Sequence, residues 1–584
     1  MCLVIFLLSF VVRTLTWQDN RLDAWKVQTT VTANYKLSAR QLVSGDFKTF
    51  VSDVKHLGHP PGYPMLLALI YKLHGESDTV LQFVQIAVDS LSVLTLFLIA
   101  VELFSLSTAI VSGVLAAISP QFAYFSVLLL PDSLIVFPVL LAVYLVVRFR
   151  SKETLPTLFI AGGFIGLSCW LRANALFLPL FLAALAAFLS QEQKWFRSAG
   201  SVIAGAILVI APITMKNAIV YHSFIPLSLG AGQTLLEGIA DYDEAGSFGI
   251  PRTDLAITQQ EAEWSGKPEY AGGLFDVDGI ERDRRRVRRG FGVIWSHPIW
   301  FGGVVAKRSL SSTRLDPVPV ITIEAPLSHK FNEASGMVQW QRSAFDLASH
   351  GQVATKASVT TRVGEDWIRI AGDETRYGNQ ITSESITVEQ FHDYVLRLPF
   401  KLEAGRVIVS VQSANGGLLS SQIVDVVEGV SPANQPENTL LIPFVTAGNS
   451  QVRLVIANNA TVRSQMLIGT TALSDLGQSS MTWLRYVRIP LRLSQRFFKT
   501  AWFLPFVVIG LVLLIRQRRL TELAILLTVP AYYLTVQSLL HTERRYVYVL
   551  HYFLSVIAAV TFCWIFRKAK TLLPQRSDMR LSCR

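Results

Sequence analysis

Charge is what this sequence has least of. Only 16% of its 584 residues are Asp, Glu, Lys or Arg, where soluble globular proteins carry about a quarter. So little charge cannot clothe several water-soluble domains. Cysteine is scarce as well: Cys2, Cys169, Cys563 and Cys583 are the four, two in apolar stretches and two near the chain ends. No CxxC pair occurs and the long polar middle of the chain has no cysteine. That excludes a disulfide framework or a thiolate metal centre there. Internal repeats and low-complexity tracts are missing too. A small-residue cleavage site does not follow the apolar start MCLVIFLLSFVVR, so that start reads as a first transmembrane helix and not as a removed signal. Its apolar run of about eleven residues is short of the roughly 20 that a span needs, and the expectation is a truncated start.

What the chain does have is hydrophobic residue, 51% of it, gathered in blocks. Apolar segments run over about 78–101, 107–127, 131–149, 155–171, 173–190, 198–215, 499–515, 520–539 and 546–566. With the first helix they predict a polytopic α-helical membrane protein of about ten transmembrane helices. The net charge of +11 sits beside these blocks, which points to membrane lipids and a lipid phosphate as partners and excludes nucleic acid. Arg148, Arg150 and Lys152 fall on one side with Lys194 and Arg197, with Arg516–Arg519, and with Arg567, Lys568 and Lys570. The positive-inside rule makes that side cytoplasmic. Both termini then lie inside. The 14–77 loop, the Pro131 turn, the Arg172 turn, a long insert and the His541 turn lie outside, in an arrangement suited to a bacterial inner membrane.

The chain therefore divides into a first membrane part (1–215), a loop with an interfacial helix (216–315), a soluble domain (316–478), C-terminal membrane helices (479–570) and a cytoplasmic tail (571–584). ERDRRRVRRGFGVIWSHPIWFGGVVAKR sets basic residues against Phe291, Ile294, Trp295 and Trp300, as an interfacial helix would. Arg284–Arg289 there either bind a lipid phosphate or simply face headgroups. Across 316–478, the runs WIRI, YVLRLPF, RVIVSVQ, TLLIPFV and QVRLVIAN are short, rich in Val and Ile, and separated by Gly, Asn and Pro. They predict an extracytoplasmic all-β sandwich of jelly-roll type, a shape that serves equally for carbohydrate binding or as a structural cover. Asn459-Ala460-Thr461 matches the glycosylation sequon, as a chain of this length does by chance.

Four turns on the outer side carry chemistry. His59-Pro60-Pro61-Gly62-Tyr63-Pro64 forms a rigid elbow, because its prolines fix the backbone and cannot donate hydrogen bonds. LLLPDSL places Asp132 at a helix mouth, either as a functional carboxylate at membrane depth or as a helix cap. LRANALF offers Arg172, as a ligand or as a snorkelling side chain. HTERRYVYV gathers His541, Glu543, Arg544, Arg545 and Tyr546. One His and one carboxylate are too few for zinc, whereas the guanidinium donors suit a phosphate.

These stretches, with others in order, resemble a known family. HPPGYPMLLALIYKLHG, QFAYFSVLLLPDSL, WLRANALFLPL, APITMKNAIVYHSFIPLSLGAGQTLLEGIA and HTERRYVYVLHYFLSVIAA are similar to the GT-C superfamily of polyprenyl-phosphate-sugar-dependent glycosyltransferases. The branch is that of protein O-mannosyltransferases, aminoarabinose transferases and RgtA/B/C/D-like proteins (glycosyltransferase family 39-like). The resemblance covers about 1–315 and 480–570 and leaves the sandwich outside it. It implies an inverting transfer of a sugar from a polyprenyl-phosphate donor to an extracytoplasmic glycan, lipid or protein. A first-loop carboxylate would be the general base, and basic groups would hold the departing phosphate. Asp132 falls on the family's second-loop acid, Arg545 and Tyr546 on its RY pair, and Lys216-Asn217 on its basic-Asn pair. His59, Arg172, His541 and Glu543 join these as candidate donor contacts.

One position departs from the pattern. The family carries Asp or Glu three or four residues before a tyrosine, but here VTANYKLSARQLVSG has Val31 and Thr32 there. Asp19 or Asp23 is then expected to be the base, with Asp132 orienting the acceptor or a bound cation, although Asp46 and Asp132 are alternatives. A divalent metal is compatible with the acidic loops, yet no ligand spacing demands one. The competing readings are a transporter or flippase of the same lipid-linked sugar, a lapsed enzyme, and a surface protein whose sandwich binds sugar. A transporter would favour internal repeats and broken midplane helices, whereas no repeat is found and the polar groups gather at one face and not at the midplane.

Overall fold

The structure is a computed structural model that describes residues 1–20, 29–152, 154–190 and 194–572, apart from 316, 325, 333, 354–357, 364, 365, 374, 376, 377, 427–436, 460–462 and 542. Asp23, most of the sequon and the tail beyond 572 lie outside the described residues. The chain forms two compact units: Met1–Ile321 with Leu493–Arg584, and Thr322–Arg492.

The first unit is helical. Cys2–Asn20, Asp78–Leu103, Trp195–Tyr221, Leu520–Leu539 and Val549–Lys570 are each long and apolar enough to cross a membrane, since about 20 helical residues cover 30 Å. The chain is thus an integral membrane protein. Leu106–Ile118 and Pro120–Val127 together pass the same test although they are bent by 50°. The unbroken segment expected over 107–127 is therefore corrected. Pro120 lacks the N–H that would continue the first helix, and the Ser119 Oγ accepts from Phe122 N to start the second. Shorter apolar helices occupy Val136–Lys152, Leu155–Leu171, Leu178–Leu189 and Thr500–Arg516. Leu155–Leu171 and Trp195–Tyr221 touch backbone to backbone at Gly205, where a Cβ would collide with the Phe159 carbonyl.

The first helix also differs from expectation. The apolar run of the sequence ends near Arg13, but the helix continues to Asn20. Arg13 is wholly buried, with its Nε 2.5 Å from Asp89 Oδ2 and its Nη1 donating to the Ser9 and Ala117 carbonyls. Tyr552 Oη donates to the other Asp89 oxygen at 2.7 Å. The charge that interrupted the sequence pattern is matched inside the helix bundle, so the helix does not stop there.

Between Tyr221 and Leu315 lie four further helices, Ala231–Ala240, Asp254–Ser265, Gly279–Ser296 and Pro298–Ser312. The single interfacial helix expected here is broken between His297 and Pro298. Within the arginine run, Arg286 is buried against Glu261, as is the neighbouring Arg282, and Arg289 donates to Gln260. Those guanidiniums hold the insert together. The opposite side stays exposed, with Phe291 at 60%, Trp295 at 89% and Ile299 at 92%, as a surface resting on lipid would be.

The second unit is β. One antiparallel sheet runs Met337–Arg342, Thr471–Gln478, His392–Ala404, Gln465–Ile468, Trp367–Ala371, Ser358–Val363, with Asn438–Val445 on the free side of His392–Ala404. The other runs Gln352–Val353, Asn379–Thr382, Gln451–Asn458, Arg406–Ser413, Leu418–Asp425, with Ile386–Thr387 against Gln451–Asn458. Alternate residues face inward, for example Leu440, Ile442 and Phe444 from one sheet and Val452, Leu454 and Ile456 from the other, and all six belong to one core. Each of the five runs singled out in the sequence forms a strand.

Removing one partner of a buried ion pair costs about 3–5 kcal/mol, whereas replacing both by apolar residues is often neutral. Asp89→Ala should therefore lower the thermal unfolding temperature of the detergent-solubilised protein sharply, and Arg13→Leu/Asp89→Leu should recover most of it. Equal losses in the single and double variants would contradict the structural role given to this pair.

Candidate active site

After helix Pro120–Val127 the chain runs extended and then turns, with Leu134 N donating to the Pro131 carbonyl, which leaves Asp132 only 1% exposed. A carboxylate so deeply buried requires a partner. Arg172 supplies it, with Nη2 2.8 Å from both carboxylate oxygens. Arg172 is the first residue past helix Leu155–Leu171, where the backbone becomes extended (φ −149°, ψ 131°) before the turn Ala173–Ala175. The same guanidinium lies over the Tyr546 ring at 4.6 Å.

Arg545 comes to that ring as well, 5.0 Å from its centre. Glu543 orients it, with Oε1 accepting from Nη2 at 2.7 Å, while Nη2 also donates to Tyr546 Oη at 3.2 Å. Asn174 Nδ2 donates to the Tyr546 carbonyl, and Tyr532 Oη donates to the Asn174 carbonyl. Two turns distant in sequence are thus fastened to each other through one aromatic ring.

The elbow brings in the first loop. Gly62 rests against the backbone of Trp170, where a Cβ would come to 2.5 Å of the carbonyl oxygen, so only glycine lets the elbow approach the Arg172 turn. Tyr63 is fully buried, and its Oη donates to Gln85, whose Nε2 donates to the Leu128 carbonyl. Tyr35 packs on both elbow rings, 5.0 Å from His59 and 4.9 Å from Tyr63. Burial pushes the Tyr35 phenol up to about 12, against the opposing pull of Arg172 and Arg545. Burial pulls His59 down to about 4, helped by the same two guanidiniums, so its imidazole is neutral near pH 7.

Arg172, Asp132, Arg545, Tyr546, Glu543 and His59 are therefore brought together. The other candidates stand elsewhere. Lys216 lies over the Tyr221 ring, and Tyr221 Oη donates to the carbonyls of Val51 and Asp53. His541 pairs with Asp241 at 2.7 Å. Asp46 caps the short helix Phe47–Ser52. Asp19 is near the end of the first helix, which Trp17 fastens to Gln82, and Gln82 to the Val127 carbonyl on the way to Asp132. Asp23 is outside the described residues. Thr32, where the family pattern has an acid, is buried with its hydroxyl donating to the Leu129 carbonyl at 3.4 Å. That position thus faces the Asp132 turn with an alcohol.

Sequence reasoning missed Tyr63 and Gln85 as parts of the site. Gln82, Gln85 and Asp89, spaced three and four apart along an otherwise apolar helix, were the available signal, because one polar stripe must face protein and not lipid. Among the described residues, no three His, Cys, Asp or Glu side chains are grouped to hold a metal ion. What is present is a set of buried donors with no partner: Arg172 Nε, Arg545 Nη1 and Tyr35 Oη. Buried donors are rarely left unpaired, and two guanidinium N–H groups with one phenol are donors of the kind an oxyanion accepts from.

Residues 58–216 match the family model described as dolichyl-phosphate-mannose-protein mannosyltransferase. That stretch contains the elbow, Asp132 and Arg172. No curated protein matches the sequence. Among solved structures, the arabinosyltransferase EmbB from Mycobacterium smegmatis aligns at 11% identity over 72% of this chain and 60% of its own, with a TM-score of 0.20. The CBM22-1 xylan-binding domain from Paenibacillus barcinonensis Xyn10C aligns at 14% identity over 26% of this chain and 100% of its own, with a TM-score of 0.19. The arabinose-bound α-L-arabinofuranosidase MgGH51 aligns at 15% identity over 26% of this chain and 27% of its own, also at 0.19. The chain spans about a quarter of the arabinofuranosidase, and TM-scores this low carry no argument.

His59 gives the site a pH dependence. Above pH 6.5 the imidazole is neutral in both folded and unfolded chains. As pH falls, the unfolded chain binds the proton first, so stability is lost between 6.5 and about 4. Thermal unfolding of the solubilised protein should fall from pH 7.5 to pH 5, and His59→Asn should flatten that fall. An identical pH profile in the variant would remove His59 from the account.

Proposed function

We propose that this chain transfers a sugar from a polyprenyl-phosphate donor to a glycan, lipid or protein acceptor outside the cytoplasm. The observation that carries the reading is the pair of guanidiniums, Arg172 and Arg545, sharing the Tyr546 ring beside Asp132 with buried N–H donors unpaired. In the reaction the bond from the anomeric carbon to the phosphate oxygen breaks while the acceptor oxygen attacks from the opposite face, inverting the configuration. The donor phosphodiester becomes a phosphomonoester and gains a negative charge. Donors already aimed at that oxygen stabilise the transition state more than the ground state.

The acceptor proton goes to a carboxylate, proposed to be Asp19 or Asp23. Asp132, already engaged by Arg172, orients the acceptor or a cation. The tether from Trp17 through Gln82 to Val127 supports this division, because it carries the end of the first helix toward the Asp132 turn. Lys216 and His541 lie on the flanks and would contact the more distant parts of donor or acceptor. The proposal includes ten membrane crossings, a site and jelly-roll-type sandwich on the outer face, and a bacterial inner-membrane setting. The basic clusters flanking the helices support that orientation. A flippase would also bind the donor, but a buried phosphate receptor beside carboxylates is what transfer needs.

Arg545 is buried in the cluster, whereas Arg544 lines a small separate cavity with Asp241, Tyr242 and Arg308. Arg545→Ala should therefore reduce sugar transfer by the equivalent of about 2–4 kcal/mol, and Arg544→Ala should leave it near normal. Equal, mild losses would make the cluster an anchor at the membrane surface.

A further inference from the structure

A second cavity, of about 300 Å³, lies at the far end of helix Asp78–Leu103 from the Asp132 cluster. Gln85 marks the cluster end of that helix and Leu103 the cavity end. At 1.5 Å per residue the two are about 27 Å apart. None of the transfer chemistry described above uses this cavity.

Its walls are basic and hydroxylated. Arg519 donates from Nη2 to the Leu103 carbonyl at 2.6 Å and to Glu522 at 3.1 Å, and its guanidinium lies over the Phe104 ring at 4.6 Å. Arg567 donates from Nη2 to Ser105 Oγ at 3.2 Å. Thr108 and Gln517 add polar groups, and Cys563 and Trp564 line the apolar side. Ser105 caps helix Leu106–Ile118, so the positive end of that helix dipole faces the same space. Among the described residues no carboxylate lines the cavity, and Glu522 reaches it through its contact with Arg519.

Two guanidiniums, a helix N-terminus and two hydroxyls fit one phosphate group. The surroundings choose its source. Trp564 of the lining is 39% exposed, and Leu106, Leu520 and Phe566, each next in sequence to a lining residue, are 56%, 58% and 67% exposed, on helices of the membrane-crossing unit. A soluble anion would not need such a rim, whereas acyl chains would cover it. We propose that this cavity binds the phosphate headgroup of an anionic phospholipid, in the leaflet opposite the Asp132 site. The headgroup lies between Arg519 and Arg567, and one acyl chain runs along Trp564.

The test is native mass spectrometry of the full-length protein in detergent, titrated with phosphatidylglycerol, with phosphatidylcholine, and separately with inorganic phosphate. Phosphatidylglycerol should be retained as one tightly held molecule, and phosphatidylcholine should not. Arg567 is exposed, so Arg567→Gln should fold normally and weaken that retention about tenfold, the effect of losing one charged donor. Arg148→Gln, at another basic residue outside the cavity, should change nothing. Equal retention in wild type and Arg567→Gln, or equal losses in Arg567→Gln and Arg148→Gln, would overturn the proposal. So would binding of inorganic phosphate that excludes the lipid, which would assign the cavity to a soluble phosphate compound.

Discussion

The ion pair between Asp132 and Arg172 is the contact on which the rest of the site rests. Asp132 is almost completely buried and Arg172 nearly so, at the edge of an apolar helical unit where water cannot solvate either charge. Neither residue is stable there alone. The pair thus fixes the turn after helix Pro120–Val127 against the end of helix Leu155–Leu171. Once Arg172 is held, its guanidinium has one face for Tyr546, and that ring draws the Glu543–Tyr546 turn, with Arg545, into the same pocket. The elbow can approach because Gly62 has no side chain. Each later contact presupposes the first.

The same constraint acts at the middle of the helical unit. Arg13 and Asp89 could each disrupt an apolar helix, yet together with Tyr552 they join three helices far apart in the chain. Asp89 shares a helix with Gln85 and Gln82, so one polar stripe links the buried pair to the elbow and to the Asp132 turn. Displacing that helix would disturb the site and the bundle together. This is a physical reason for polar residues to persist on a segment that otherwise faces apolar neighbours.

Much of this was legible in the sequence, and the exceptions have physical causes. Apolar blocks and alternating strands announce themselves by composition and period, which is why WIRI through QVRLVIAN could be assigned. Asp132, Arg172, Arg545 and Tyr546 were legible as polar groups in turns between apolar segments. Arg13 was misread because a charge ends an apolar run in one dimension, while its partner lies 76 positions away. The bend at Ser119 and the break at His297 were missed because each depends on a proline at the start of a helix, a local signal that a hydropathy window averages out. Arg286 read as part of a lipid-facing surface because nothing in its own segment reveals Glu261 on a neighbouring helix. Lys216 and His541 show the opposite limit, since a motif match fixes where a residue falls in the family pattern and not what it touches.

The most direct measurement is sugar transfer by the full-length protein in lipid vesicles loaded with a polyprenyl-phosphate sugar, comparing Asp19→Asn, Asp23→Asn and Asp132→Asn at matched amounts. The account predicts that one of the first two loses transfer by roughly 10²–10⁴-fold, as removal of a general base does, and that Asp132→Asn is impaired while donor lipid still binds. Near-normal transfer in both Asp19→Asn and Asp23→Asn would contradict it, and a dead Asp132→Asn beside them would give Asp132 the role of base.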